Sequence, residues 1–186
     1  METAFLHFSE ESLKILQLAQ EAARELGHSI TGSEHLLLGI LSNQQCHPTQ
    51  VLLSMGVTYK KAEEEVLRLQ SRNQCQDTRP YEFTPRAKSI IQMSVKANER
   101  TESSNIEPED LFIAILMIPR CTARKVIHAL DIDEELILTR LTTRRKKTRY
   151  SDTTIDQLSE LYDRIQSGSF GSEDDDLDDD AQADPM

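Results

Sequence analysis

The chain repeats itself at a spacing of 75 residues, and this duplication limits its fold more than any other feature of the sequence. Self-similarity of this kind indicates two copies of one supersecondary unit, whose apolar faces complete each other. We therefore expect two tandem units that pack as a pseudo-twofold domain. The alignment runs without a gap and pairs Phe8 with Phe83, Ile15 with Ile90, Ala22 with Ala97, Glu34 with Glu109, Leu36 with Leu111, Ile40 with Ile115, and Val51 with Val126.

Each unit has the pattern of four short helices, so the predicted fold class is all-α. Ser9 and Thr84 are placed to cap the first helix of each unit, and Pro85 suits the first helical position. Ser33 is expected to cap a second helix that is apolar almost all round and therefore belongs in the core. No segment carries a strand signal of comparable strength. The third helix is expected between Pro48 and Gly56, and the fourth begins at Thr58.

Composition shifts divide the chain further. The formal net charge is −11, and residues 167–186 hold eight acids and no base, so −11 minus −8 leaves −3 for the preceding residues. A tail of that composition cannot bury enough apolar surface to order itself and is predicted to be disordered. The predicted divisions are repeat 1 over 1–70, a linker over 71–82, repeat 2 over 83–142, a basic hinge with a short helix over 143–166, and the acidic tail over 167–186.

No apolar run approaches the roughly 20 residues that cross a bilayer, so no membrane segment is expected. The N-terminal sequence lacks a basic region followed by an apolar one. The expected location is cytoplasmic, with the plastid stroma as the alternative. The three cysteines, Cys46, Cys75 and Cys121, stand far apart without metal-ligand spacing, so we expect ordinary thiols and neither a metal nor a cofactor.

An ordered set of motifs resembles the double Clp N-terminal domain. The resemblance covers residues 5 to about 142 and is nearest to the N-domain of ClpC-type ATPases and to free-standing accessory subunits of plastid Clp protease. It implies two four-helix Clp N repeats. The residues that carry it are Phe8-Ser9-Glu10, Gly27-His28, Gly32-Ser33-Glu34-His35-Leu36-Leu37-Leu38-Gly39-Ile40-Leu41, and Phe83-Thr84-Pro85-Arg86-Ala87-Lys88.

The sequence contains no GxxxxGK[ST] phosphate loop and no spacing typical of a catalytic nucleophile, so we expect no enzyme activity. The resemblance implies a non-catalytic protein-binding module, an accessory, adaptor or regulator of the Clp chaperone-protease system. Expected partners are the Clp ATPase, the protease core, and adaptor or substrate proteins. One alternative is a decoy N-domain that captures adaptors or phosphoarginine-marked substrates.

The resemblance also implies a ligand site in each repeat. In some bacterial relatives, glutamates equivalent to Glu34 and Glu109, with hydroxyls equivalent to Ser9 and Thr84, bind phosphorylated arginine. The chemistry suits the ligand, because a guanidinium pairs with a carboxylate and a phosphoryl group with hydroxyls and N–H groups at a helix start. A first-turn glutamate can equally serve only the helix dipole. We expect a poorer second site, since Pro108 replaces a capping hydroxyl.

A cluster of bases follows the second repeat. Six bases and no acid lie between residues 140 and 149. Nucleic-acid binding is the alternative function that this cluster suggests, but no aromatic platform accompanies it and an acidic tail follows, so docking to an acidic partner is favoured. The residues expected to contact such a partner are Arg144, Arg145, Lys146 and Lys147.

Overall fold

The structure, a computed structural model, describes residues 8–70, 82–99 and 105–148, and it is built from eight helices and two very short strands in these ranges. The acidic tail and most of the predicted hinge and linker lie outside the described residues. The first repeat holds α1 (Glu10–Glu25), β1 (Ile30–Thr31), α2 (Ser33–Ser42), α3 (His47–Ser54) and α4 (Tyr59–Leu69), and the second holds β2 (Glu82–Phe83), α5 (Pro85–Glu99), α6 (Pro108–Met117), α7 (Thr122–Ala129) and α8 (Glu134–Thr148).

The 75-residue spacing is kept by the helices themselves. Adding 75 to the bounds of α2 and α3 gives the bounds of α6 and α7. Helix packing between the repeats follows the same symmetry. Helix α1 packs on α6, and its equivalent α5 packs on α2. Likewise, α2 packs on α7, and its equivalent α6 packs on α3. The all-α, pseudo-twofold prediction is therefore confirmed. The predicted division at residue 142 stays a prediction, although α8 continues to Thr148.

The first helices start as the sequence predicts. The Ser9 hydroxyl accepts a hydrogen bond of 3.2 Å from the N–H of Ser12. The Thr84 hydroxyl accepts one of the same length from the N–H of Ala87, and Pro85 is the first residue of α5. Each cap satisfies an N–H group that has no partner within its helix.

The N-cap predicted for α2 is wrong. The capping residue is Gly32, and Ser33 is the first helical residue, whose hydroxyl accepts a 3.2 Å hydrogen bond from the N–H of Ala123 in α7. Ser33 thus caps a helix of the other repeat. The sequence does not reveal whether a hydroxyl at a helix start caps that helix or a helix of the other repeat.

The two second helices form the centre of the core. Nine of the ten residues of α2 are buried, and the same fraction of α6. Each of their larger apolar side chains contributes about 1.5–3 kcal/mol through burial, as an upper estimate. Within the described residues, no helix is long and apolar enough to cross a membrane. The apolar core residues of these two helices are Leu36, Leu37, Leu38, Ile40, Leu41, Leu111, Phe112, Ile113, Ala114, Ile115, Leu116 and Met117.

Short parallel pairings link the repeats, although no strand was predicted in these segments. Thr31 pairs with Phe83 in the β1–β2 ribbon, and Phe8 pairs with Ile106 in an isolated bridge. These pairs are equivalent by the 75-residue shift. Each joins the start of one repeat to the loop that precedes the second helix of the other, so the first turns of α2 and α6 lie at the junctions between the repeats.

Candidate functional site

Two equivalent sites lie at these junctions. We call the residues Gly32, Ser33, Glu34 and Thr84 the Glu34 site. The Thr84 N–H donates a 3.0 Å hydrogen bond to the carbonyl of Thr31, which places this hydroxyl-bearing residue beside the start of α2. The Glu34 site therefore takes residues from both repeats.

The second, Glu109 site consists of Ser9, Glu107, Pro108 and Glu109. Here the Ser9 N–H donates a 3.0 Å hydrogen bond to the carbonyl of Ile106. The sequence predicts one capping hydroxyl with each glutamate, and the hydroxyl-bearing residue beside each second helix belongs to the opposite repeat. Proximity along the chain could not reveal this exchange.

Glu34 is buried, whereas a first-turn glutamate is expected to be exposed. Only 4% of the residue is accessible. The Ser33 hydroxyl lies 3.4 Å from one carboxylate oxygen, and the other oxygen is 3.4 Å from Nδ1 of His35. The expectation that Glu34 is exposed is therefore wrong, whereas its role as a ligand group or as a helix-dipole residue stays a prediction.

Gly32 permits this buried position. A Cβ atom on Gly32 would stand 2.3 Å from a carboxylate oxygen of Glu34, so the carboxylate lies over the space that any other residue would fill. The equivalent residue in the second repeat is Glu107, and there Glu109 is less buried, with 14% of its side chain exposed. The residue two positions before the glutamate is thus a glycine where the carboxylate is more buried and a glutamate where it is less buried.

His28 and His35 form a hydrogen-bonded pair, and His35 lies next to Glu34. The N–H of Gly32 donates to Nδ1 of His35 over 2.8 Å, so that nitrogen carries a lone pair and the proton of the neutral ring is on Nε2. His35 Nε2 lies 2.9 Å from Nδ1 of His28 and donates to it. Burial lowers the pKa of His35 to about 3, and His28 adds to the effect. The ring is therefore neutral at ordinary pH, although the Glu34 carboxylate lies 3.4 Å from it.

Asp110 replaces this histidine in the second repeat. Its carboxylate accepts a 2.8 Å hydrogen bond from the N–H of Glu107, as His35 accepts from Gly32. The same backbone group is therefore satisfied by a neutral ring in one repeat and by a carboxylate in the other. Neither role was predicted, although acceptors three residues after an N-cap are the sequence signal of a capping box.

Several carboxylates meet at the Glu109 site. Burial raises the pKa of Glu107 above its usual range, a hydrogen bond with Ser9 opposes the rise, and the charges of Glu109, Asp110 and Glu11 add to it. The like charges that act on Glu107 make the local potential negative. This site therefore favours a cation more than the Glu34 site does.

His47, which the sequence did not single out, contacts Glu109. Nδ1 of His47 is 3.1 Å from a carboxylate oxygen of Glu109, and the side chains are 15% and 14% exposed. The contact joins α3 of the first repeat to α6 of the second. Its residues are 62 positions apart, so no local pattern could have predicted it.

The two cysteines that the structure describes are free thiols. Cys46 and Cys121 are free, buried and equivalent, each preceding the third helix of its repeat. Burial raises the pKa of both thiols. Within residues 8–70, 82–99 and 105–148, no three or more histidine, cysteine or acidic side chains are grouped to hold a metal ion. Cys75 lies outside these ranges.

A buried ion pair distinguishes the second repeat and was missed in the sequence. The guanidinium of Arg124 makes two hydrogen bonds to Glu134, of 3.0 and 2.8 Å, and both residues are 8% exposed. The pair ties the start of α7 to the start of α8. The positions equivalent to Arg124 and Glu134 in the first repeat are Thr49 and Tyr59, which form no such pair.

The basic cluster is only partly described. Arg140 donates a 2.6 Å hydrogen bond from its guanidinium to the hydroxyl of Ser54, which fixes α8 against α3. The backbone of α8 includes residues 144–147, but the side chains of Arg144, Arg145, Lys146 and Lys147 lie outside the described part of the structure. Their partner-binding role stays a prediction.

The sequence and the fold match known proteins. Residues 7–147 match the family described as the Clp repeat (R) N-terminal domain. The chaperone protein ClpC1 of rice chloroplasts is 33% identical over 137 residues, which is 74% of this chain and 15% of that protein. This chain therefore spans a small part of the relative's length.

Two solved structures share the fold. The N-terminal domain of the ClpD chaperone from Arabidopsis thaliana is 21% identical with a TM-score of 0.66, and the match covers 76% of this chain and 96% of that one. The ClpV N-domain, in a complex with a VipB peptide, is 20% identical with a TM-score of 0.59, over 76% and 91% of the two chains. With its duplicated four-helix unit and this family match, the chain belongs to the Clp repeat N-terminal domain family.

Proposed function

We propose that this chain is a non-catalytic protein-binding domain that acts as an accessory or adaptor of the Clp chaperone-protease system. Its partners are the Clp ATPase, the protease core, or adaptor and substrate proteins. The observation that carries the proposal is the construction of the two junction sites, each combining a helix start with a carboxylate. Helix N-termini attract anions and carboxylates attract cations, so each site suits a ligand that has both charges.

The relatives support a binding role. The ClpV N-domain was solved with a peptide, and the rice relative is a chaperone by name. Several relatives are chloroplast proteins, which supports the plastid stroma as the compartment, beside the cytoplasm. Because the chain has no phosphate-loop motif, we expect purified protein to release no phosphate from ATP above background in a colorimetric assay. Stoichiometric ATP binding in a calorimeter would contradict this expectation.

The ligand that we propose for the sites is phosphoarginine displayed on a substrate. Its guanidinium pairs with Glu34 or Glu109, and its phosphoryl group lies against the helix start and the hydroxyl of Thr84 or Ser9. A guanidinium that reaches Glu34 leaves water, and removal from water strengthens a charge-assisted hydrogen bond. The acid-rich Glu109 site repels the phosphoryl group more strongly, so we expect it to contribute less.

Titration of phosphoarginine tests this ligand. Glu34→Gln keeps the shape of the buried side chain and removes its charge, so we expect it to abolish most of the binding measured by calorimetry. Glu109→Gln is the matched control at the equivalent position, and a smaller loss is expected. Circular dichroism checks that both variants remain folded. No binding by the wild type would overturn the phosphoarginine proposal, and equal losses would overturn the proposed difference between the sites.

A pull-down from native extract separates the accessory role from the decoy role. Recovery of Clp ATPase or protease-core subunits supports an accessory. Recovery of free adaptors or phosphoarginine-marked substrates without those subunits supports a decoy. If the double variant Glu34→Gln and Glu109→Gln recovers the same proteins as the wild type, binding does not occur at the junction sites.

A further inference from the structure

We propose that His47 closes the Glu109 site by occupying the position of a cationic ligand, so that the two equivalent sites are not equally open. The inference rests on the proposed function, because it concerns which junction site a guanidinium can enter. Its geometric basis is the 3.1 Å contact between Nδ1 of His47 and Oε1 of Glu109. A guanidinium that binds a carboxylate bidentately uses both oxygens, so it competes with His47 for Oε1 while this contact persists.

The position of His47 is constrained by its surroundings. His47 is the first residue of α3, and Pro48 follows at the second position with its backbone φ fixed. The preceding Cys46 is anchored, because its thiol lies 3.0 Å from the Thr49 hydroxyl and 3.7 Å from the carbonyl of Ile40. With 15% of its side chain exposed, the His47 ring cannot leave Glu109 without uncovering buried surface.

The local charge favours this arrangement. Glu109, Asp110 and Glu11 all lie close enough to Glu107 for their charges to act on it. In such a negative environment a donor or cation at Glu109 is stabilising, and His47 supplies it from within the chain. Either the Nδ1–H form of the neutral ring or the charged ring donates to the carboxylate.

The Glu34 site has a different residue at the equivalent position. Adding 75 to His47 gives Thr122, the first residue of α7. A threonine cannot place a positive charge beside Glu34. The two positions therefore differ in whether a ring nitrogen can compete with a ligand cation, and Thr122 supplies the matched control.

The test uses argininamide, which carries a guanidinium and no phosphate, so that the carboxylates of the Glu109 site do not repel it. The full chain is labelled with ¹⁵N, and the amide signals of Glu34 and Glu109 are followed by NMR as argininamide is added. In wild-type protein we expect the Glu109 signal to shift little. In His47→Ala it should shift and saturate at a ligand concentration at least about fivefold lower than in the wild type, since the internal hydrogen bond to Glu109 no longer competes. Thr122→Ala should leave the response of Glu109 unchanged.

Two further results decide the proposal. His47→Gln, which keeps a neutral donor and a similar volume, should give an intermediate response and guards against loss of folding in the alanine variant. A wild-type Glu109 signal that already saturates like that of His47→Ala would overturn the proposal, as would a folded His47→Ala that shows no response. Phosphoarginine added to the wild type reports separately at Glu34, so failure of the proposed function can be distinguished from failure of the role of His47.

Discussion

The second helices of the two repeats, α2 and α6, have the same length and the same buried character, but different groups hold their first turns. The N-cap N–H of α2 is accepted by His35, and that of α6 by Asp110. Glu34 is buried over a glycine, whereas Glu109 is turned toward His47. Duplication has preserved the backbone and the apolar contacts, and the polar groups at the helix starts have diverged.

This divergence has a physical reason. The central helices must fill a fixed space, and core packing tolerates only small changes in volume. A helix start needs only that its N–H groups find acceptors, and several residue types can supply them. Of the four predictions that follow, three use the equivalent position of the other repeat as the control, and the one on His35 uses a second residue type at the same position.

The largest effect is expected from the ion pair that only the second repeat has. Arg124→Ala leaves the carboxylate of Glu134 buried without its main cation, so the free energy of unfolding in urea should fall by about 3–5 kcal/mol. In the first repeat, Thr49→Val removes a buried hydroxyl that donates to the carbonyl of Ile40, and we expect a loss of about 1 kcal/mol. Equal losses would show that the ion pair does not distinguish the repeats energetically.

The packing of α1 against α2 should be sensitive to any side chain added at Gly39. A Cβ atom there would stand 2.6 Å from the carbonyl oxygen of Ile15 and 2.8 Å from the backbone nitrogen of Ala19, so α1 and α2 would have to move apart. Gly39→Ala should cost about 1–3 kcal/mol in urea unfolding, as overpacking does.

The control for Gly39 is its equivalent in the second repeat, which is already Ala114. Ala114→Gly should cost only about 0.5–1 kcal/mol, the usual effect of glycine within a helix. In an exposed helix the same change is stabilising. If Gly39→Ala stabilised this protein, the result would contradict the close approach of α1 and α2 at this position.

Acid should weaken the first repeat through His35. Its pKa is lowered from 6.5 to about 3, chiefly by burial and further by His28, so below pH 6.5 the unfolded chain binds a proton that the folded chain refuses. This contribution is fully present above pH 6.5 and is lost as the pH falls toward 3. Between pH 7 and pH 5 it removes about 2 kcal/mol from the free energy of unfolding.

His35→Asn is the control for this pH dependence, because it keeps a neutral acceptor and cannot be protonated in this range. The variant should lose about 2 kcal/mol less than the wild type between pH 7 and pH 5. Urea unfolding at several pH values measures the difference. The same slope in both proteins would show that the histidine is not the titrating group.

The smallest effect concerns the hydroxyl that bridges the repeats. Ser33→Ala removes the acceptor of the Ala123 N–H and should cost about 1 kcal/mol, the usual loss at a helix cap. Pro108→Ser places a hydroxyl at the equivalent position, but the residue equivalent to Ala123 is Pro48, which has no N–H to donate. We expect a change within about 0.5 kcal/mol in urea unfolding, and a gain near 1 kcal/mol would contradict this explanation.

Much of the fold could be predicted from the sequence. The caps at Ser9 and Thr84, the buried second helix and the start of α4 after Thr58 follow from signals between residues three or four positions apart. The prediction for Ser33 failed although its residue type is correct, because its hydroxyl serves a helix 90 residues away. The short pairing between Thr31 and Phe83 was missed for a similar reason, since a two-residue strand has no period to detect.

The sequence by itself determined that the chain is a duplicated, helical unit with one apolar helix at the centre of each copy. Hydrophobic periodicity and local capping act between neighbours, so they can be found without coordinates. Only the tertiary structure decided that Ser9 and Thr84 each lie beside the second helix of the other repeat, that Glu34 is buried, and that His47 contacts Glu109. These contacts arise because the repeats pack with their helix starts against each other, and contacts between residues distant in sequence depend on that packing rather than on local spacing.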